Sequence, residues 1–174
     1  MNPREIGHVR QLECGLVVSA PAQHAAAMRR LVHQLKYQAS PHAARVLGLA
    51  VAEILPLQVS IVVPVPRAAA RRVRYGVDPA YELARVVGRA NGVDVQRLLA
   101  PSWWWPAHVG SSREERRRSA RFRSKRRVVA RGSVVALVDD VVTTGGTLSA
   151  AARCLVESGA VDAADLVGVA ATVA

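Results

Sequence analysis

Cysteine is nearly absent from this chain. Its 174 residues include two, Cys14 and Cys154, far apart and in no metal-ligand pattern. That excludes a disulfide scaffold and fits a reducing cytosol. No run of about 18 apolar residues is present, so no membrane-spanning helix is expected, and no secretory apolar region precedes a cleavage site. Together these predict a cytoplasmic protein. The G-x-x-x-x-G-K-[ST] loop of nucleotide hydrolases is also missing. Acidic residues are scarce: 13 Asp and Glu stand against 24 Lys and Arg, for a net charge of +11 and a pI near 11.2. Such an imbalance points to polyanionic partners, either a diphosphate-bearing substrate, nucleic acid, or both. The length suits one domain able to bury a core without staples.

What is present centres on VVALVDDVVTTGGT, Val134 to Thr147. Val134 to Val138 are five apolar residues without polar alternation, as in a parallel strand buried on both faces. Asp139 and Asp140 follow at the expected strand end, then two valines and the run Thr143, Thr144, Gly145, Gly146 and Thr147. LSAAARCLVESG then reads as a helix with Gly159 as its C-cap. Glycines let backbone N–H groups approach an anion closely. A helix N-terminus favours phosphate, and threonine hydroxyls donate to the same oxygens. Two carboxylates would repel phosphate, so they should face sugar hydroxyls instead. The deduced ligand is a phosphorylated sugar with vicinal hydroxyls.

Around this stretch the pattern is α/β. Leu16–Val18 reads as a short edge strand, and Pro21–Tyr37 as a helix with Met28, Leu31, Val32 and Leu35 at helical spacing. Lys36 and Tyr37 stand at that helix's exit. His8 and His24 have no ligand-like neighbours in sequence, and His33 reads as a surface or packing residue. Pro41 opens a second helix that ends before Pro56. Val59–Val63 is a β-branched strand stopped by Pro64-Val65-Pro66. Ligands of doubly wound sheets sit at the C-terminal strand ends, so Pro64–Arg67 should lie beside the Asp139 loop. Arg67, Arg71 and Arg72 are then candidates for holding a diphosphate. Asp78-Pro79 predicts a capped helix start, and Asn91-Gly92 its end. Leu166–Val173 predicts a last buried strand without functional polar groups.

Between these elements lies an unusual region. Trp103, Trp104 and Trp105 are consecutive, and no regular element can point three neighbours at one core face. At least one is expected to stack on a base or a partner, or to close a loop over the core. Ser112-x-x-Glu115 reads as a capping box. Ten basic residues follow between Arg113 and Arg131. They form a solvated cover, or one that closes over a diphosphate or follows a nucleic-acid backbone.

The Val134–Thr147 stretch resembles the signature of type I phosphoribosyltransferases, which bind 5-phosphoribosyl-1-diphosphate (PRPP). LKY at Leu35–Tyr37, PVP with arginines at Pro64–Arg72, and EERRRS at Glu114–Ser119 narrow the resemblance to the ComF-like (competence protein F) branch. It covers the chain from about Met28 to about Thr172. The resemblance implies a mostly parallel, Rossmann-like sheet flanked by helices. The phosphoribosyltransferase-like domain is expected at residues 21–174, with a Trp/Arg-rich hood or flexible loop at 101–131 and an N-terminal extension at 1–20. By that resemblance Asp139 and Asp140 are catalytic and hold the ribose hydroxyls. PRPP is bound by Val138, Asp139, Asp140 and Thr143–Thr147. Pro64, Val65, Arg67, Arg71, Arg72 and Lys36 face the diphosphate, and Mg²⁺ arrives through PRPP, near Asp139 and Asp140.

The chain departs from that branch in places. Its four-cysteine zinc module is absent. The R-G-F-N-Q segment reads Tyr75-Gly76-Val77-Asp78-Pro79, the T-x-x-Q segment falls at Trp105–His108, and the asparagine after E-R-R is Ser119. The expected activity is phosphoribosyl transfer from PRPP to an acceptor, with release of diphosphate and a link to competence. The alternative is a non-catalytic PRPP sensor whose basic arm grips single-stranded DNA or a DNA-uptake protein. A homodimer is a candidate assembly.

Overall fold

β-Branched runs build the centre of the molecule, and alanine- and leucine-rich helices cover it. The computed structural model describes residues 7–68, 73–102, 122–125 and 129–174. In chain order its strands are β1 (His8–Gln11), β2 (Val17–Ala20), β3 (Val59–Pro64), β4 (Asp94–Val95), β5 (Leu99–Pro101), β6 (Phe122–Ser124), β7 (Val134–Val142) and β8 (Leu166–Val173). The helices that flank the sheet are α1 (Ala26–Gln38), α2 (Pro41–Glu53), α3 (Pro79–Asn91) and α4 (Gly146–Glu157). Six strands form one sheet in the order β1-β2-β8-β7-β3-β4, and β5 and β6 form an antiparallel ribbon. Within the large sheet only β1 runs antiparallel to its neighbour. The protein is therefore an α/β fold with a mostly parallel mixed sheet between helices.

Both sheet faces are packed, which is why the central strands carry apolar residues without alternation. On one face α1, α2 and α3 place Leu35, Leu47, Val51, Leu83 and Val87 against Val62, Ala136, Val138 and Val169. On the other, Leu148, Ala151 and Leu155 of α4 meet Val63, Val135 and Leu137, with Leu12, Leu16, Leu99 and Phe122 closing the layer. Among the described residues no helix is long and apolar enough to cross a membrane.

Several local expectations change. The first helix begins at Ala26 rather than Pro21, because residues 22–24 extend the sheet: His24 N–H donates to the Val173 carbonyl and Val173 N–H to the Ala22 carbonyl. The strand read at Leu16–Val18 is Val17–Ala20, and it lies inside the sheet with β1 at the edge. β1 and β2, both within the extension read at residues 1–20, therefore belong to the main sheet. The acidic pair sits within β7, which continues to Val142. Asp78 precedes α3 but its side chain makes no capping bond. Pro41 and Pro79 open α2 and α3, and Gly92 closes α3 in the left-handed conformation, as the sequence predicts. The tryptophan cluster, the capping box at Ser112 and most of the basic run lie outside the described residues.

Close approach of α3 to the sheet edge depends on a residue without a side chain. A Cβ at Gly88 would stand 2.4 Å from a Val95 methyl and 2.8 Å from the Val93 carbonyl oxygen. Alanine there gains about 1 kcal/mol of helix propensity but loses about 1–3 kcal/mol to overpacking, and a backbone carbonyl yields poorly. Gly88→Ala is expected to lower the denaturant midpoint with the slope unchanged. A raised midpoint would contradict the packing described.

Candidate functional site

The register of the central strands decides what meets the acidic pair. Pro64 of β3 is opposite Val138 of β7, and the Val65 N–H donates to the Val138 carbonyl at 2.9 Å. The Pro64–Arg67 segment thus leaves the sheet immediately beside Asp139. Paired positions between β7 and β8 pass from Asp139–Ala170 to Val141–Thr172 without Asp140. The Asp140 N–H instead donates to Asp139 Oδ1 at 2.8 Å. Alternation along the continuous strand sends the two carboxylates to opposite faces of the sheet. Asp140 reaches toward the three-helix face, where its Oδ1 lies 2.9 Å from Lys36 Nζ.

Lys36 belongs to a larger cluster. Its carbonyl accepts from Arg67 Nη1 at 2.7 Å, so the exit of α1 and the segment after β3 are tied together. The Arg67 guanidinium also lies 4.8 Å from the Tyr75 ring centre and 5.5 Å from that of Tyr37, a favourable cation–π arrangement. Tyr37 meets Tyr75 edge to face at 5.0 Å and His33 at 4.7 Å. Lys36, Arg67 and the acids, far apart in sequence, converge at one sheet edge. Arg71 and Arg72 lie outside the described residues.

Beyond Val142 the chain turns. Thr143, Thr144, Gly146 and Thr147 are exposed and Gly145 is buried. Gly145 has φ of +75°, a conformation that suits glycine, and a Cβ there would overlap the Leu12 side chain. The turn leads into α4, which has no side-chain cap. The Thr144 hydroxyl makes only a long contact, 3.4 Å, with the Gly146 N–H. Exposed hydroxyls, an uncapped twelve-residue helix and a side-chain-free corner together suit an oxyanion.

Other residues near the site gave no signal in the sequence. The His24 ring nitrogen Nδ1 lies 2.9 Å from the hydroxyl of Thr172, which is fully buried on β8. Burial holds that imidazole below its ordinary value; Arg29 and Lys36 act the same way, and Asp140 opposes them. Arg10 donates to the Thr143 carbonyl across 133 positions. Asp78 lines a cavity of about 630 Å³ with Ser40, Tyr81, Glu82 and Arg97, and its charge acts on Asp139. Such pairings depend on tertiary contact alone and have no local pattern.

Burial, and then the charge of Asp140, push the Asp139 carboxyl up to about 8; the Asp140 N–H and Lys36 pull the other way. An unfolded aspartate titrates near about 3.9. Between those values the folded chain keeps a proton that the unfolded chain releases, so stability falls as pH rises through that window and is level below it. Asp139→Asn should remove this slope, making the variant more stable than the parent near about pH 8 and similar near about pH 4. Urea midpoints across that range would reveal it, and parallel curves for both proteins would exclude a raised Asp139.

No protein-family model matches this chain, and no curated protein matches it in sequence. What it does is therefore read from the site itself.

Proposed function

We propose that the protein is a type I phosphoribosyltransferase-like PRPP-binding protein that transfers the phosphoribosyl group to an acceptor and releases diphosphate. The observation that carries this reading is the ordered series of acids, hydroxyl–glycine turn and uncapped helix at the end of β7, with Lys36 and Arg67 beside it. Thr143–Thr147 and the first N–H groups of α4 take the 5′-phosphate. Asp139 and Asp140 accept hydrogen bonds from the ribose hydroxyls, and Val138 sets the strand from which they project. Pro64 and Val65 shape the neighbouring wall.

In the reaction, an acceptor atom, commonly nitrogen, forms a bond to C1 as the bond from C1 to the diphosphate oxygen breaks. The acceptor's proton passes to solvent or to the leaving group. Positive charge on the ring peaks between these events, and the nearby Asp140 carboxylate stabilises it electrostatically. Lys36, 2.9 Å from Asp140, is placed to turn its charge toward the departing diphosphate, and Arg67 fixes the backbone that carries it. Among the described residues no three carboxylate, histidine or cysteine side chains converge on one point. Mg²⁺ would take most of its oxygen ligands from PRPP, with Asp139 and Asp140 nearby. Bound in this way, the ion would neutralise charge on the diphosphate.

A non-catalytic reading has one observation in its favour. Tyr75 stacks on Arg67 in the segment that departs from the ComF-like pattern, holding that guanidinium to the protein. Under this reading PRPP is a signal, and the basic, tryptophan-bearing region grips single-stranded DNA or a DNA-uptake protein. Diphosphate release with candidate acceptors supports the enzyme. Salt-sensitive oligonucleotide binding without release supports the sensor.

Both readings require PRPP binding. A hydrogen bond to the ionised Asp140 is worth about 1.5–3 kcal/mol and one to a protonated Asp139 about 0.5–1.5 kcal/mol, so the double variant Asp139→Asn with Asp140→Asn should weaken PRPP by roughly 30-fold or more. Calorimetric titration with PRPP and Mg²⁺ measures this, with circular dichroism confirming the fold. Equal affinity in the variant would remove the carboxylates from the site.

A further inference from the structure

The N-terminal strands stand apart from every residue assigned above, yet they touch the turn at two points. In the corner between β1 and β2, the Leu12 N–H donates to the Leu16 carbonyl and the Gly15 N–H to the Leu12 carbonyl, both at 2.9 Å. Gly15 has φ of +87°, which closes the corner tightly. Leu12 is buried in the same core layer as Leu148 of α4, and its methyl groups fill the space a Cβ on Gly145 would need. The turn is thus seated on a side chain from the other end of the chain.

The second contact brings charge. Arg10 is exposed, and its Nη1 donates to the carbonyl of Thr143, the first residue of the turn. A guanidinium has five N–H donors, and this bond uses one of them. Among the described residues Arg10 enters no ion pair, whereas Lys36 pairs with Asp140. Arg67 is held by the Lys36 carbonyl and two tyrosines. A phosphate in this turn would lie close to two aspartates and needs a cation on its own side. Arginine meets phosphate with short, charge-assisted, often paired hydrogen bonds.

We infer that the β1–β2 hairpin is part of the phosphate site: Leu12 seats the turn, and Arg10 supplies a cation that binds the 5′-phosphate of the phosphosugar. This rests on the PRPP reading and adds to it a residue and a segment. Leu12 is a positioning residue, while Arg10 touches the ligand.

The test is titration of the full chain with PRPP and, separately, with magnesium diphosphate. Arg10→Ala should weaken PRPP by at least about tenfold and leave diphosphate affinity within about twofold, and Arg10→Lys should recover part of the loss. Leu12→Ala should accelerate hydrogen exchange at Gly145–Leu148 relative to the rest of the sheet. PRPP affinity unchanged in Arg10→Ala, or equal weakening of both ligands, would overturn the inference and leave the PRPP reading standing. Failure of the unaltered protein to bind PRPP would overturn both.

Discussion

Two adjacent carboxylates inside a strand packed on both faces are costly, and most of the site can be understood as the answer to that cost. Burial penalises each charge, and the pair repel one another. Alternation along β7 sends them to opposite faces, and the Asp140 N–H serves Asp139. The chain then brings Lys36 against Asp140. That pairing requires the exit of α1 to reach the end of β7, and Arg67 secures it through the Lys36 carbonyl. The Leu35–Tyr37, Pro64–Arg67 and Asp139–Asp140 segments are therefore one electrostatic unit. A largely buried pair of this kind contributes little net stability.

The sheet order gives that unit its setting. β7 lies between β8 and β3, both parallel to it. Three strand ends and the loops leaving them consequently face the same side. Helices on both faces keep water from the walls, while the turn beyond Val142 stays exposed. The hydroxyl–glycine turn and the uncapped start of α4 thus occupy the edge where open α/β sheets have room for a ligand. The hairpin at the chain's start supports this edge from beneath through Leu12.

Much of this architecture was legible in the residues. The apolar run before Asp139, the prolines opening α2 and α3, and the strand Leu166–Val173 carry strong local signals, and each forms as read. The acids and the turn stood out in the sequence because their types and order suit one ligand chemistry. The β1–β2 hairpin was not legible as part of the sheet: β1 is exposed at all four residues and shows no apolar alternation to mark it. The continuation of β7 through Asp139 and Asp140 was hidden because acids are poor strand formers and usually mark an end. Contacts such as His24 with Thr172 and Arg10 with Thr143 join residues 148 and 133 positions apart, and only the sheet topology brings them together.

The central claim is that the turn after β7 holds the phosphate of a phosphosugar whose ring hydroxyls meet Asp139 and Asp140. Residue-resolved amide NMR during titration with PRPP and Mg²⁺ addresses it most directly. The account predicts saturable shifts that are largest from Asp139 to Leu148, with the Gly146 and Thr147 amides moving as expected for donors to phosphate. Shifts confined to other parts of the chain, or a spectrum unchanged at millimolar PRPP, would contradict it.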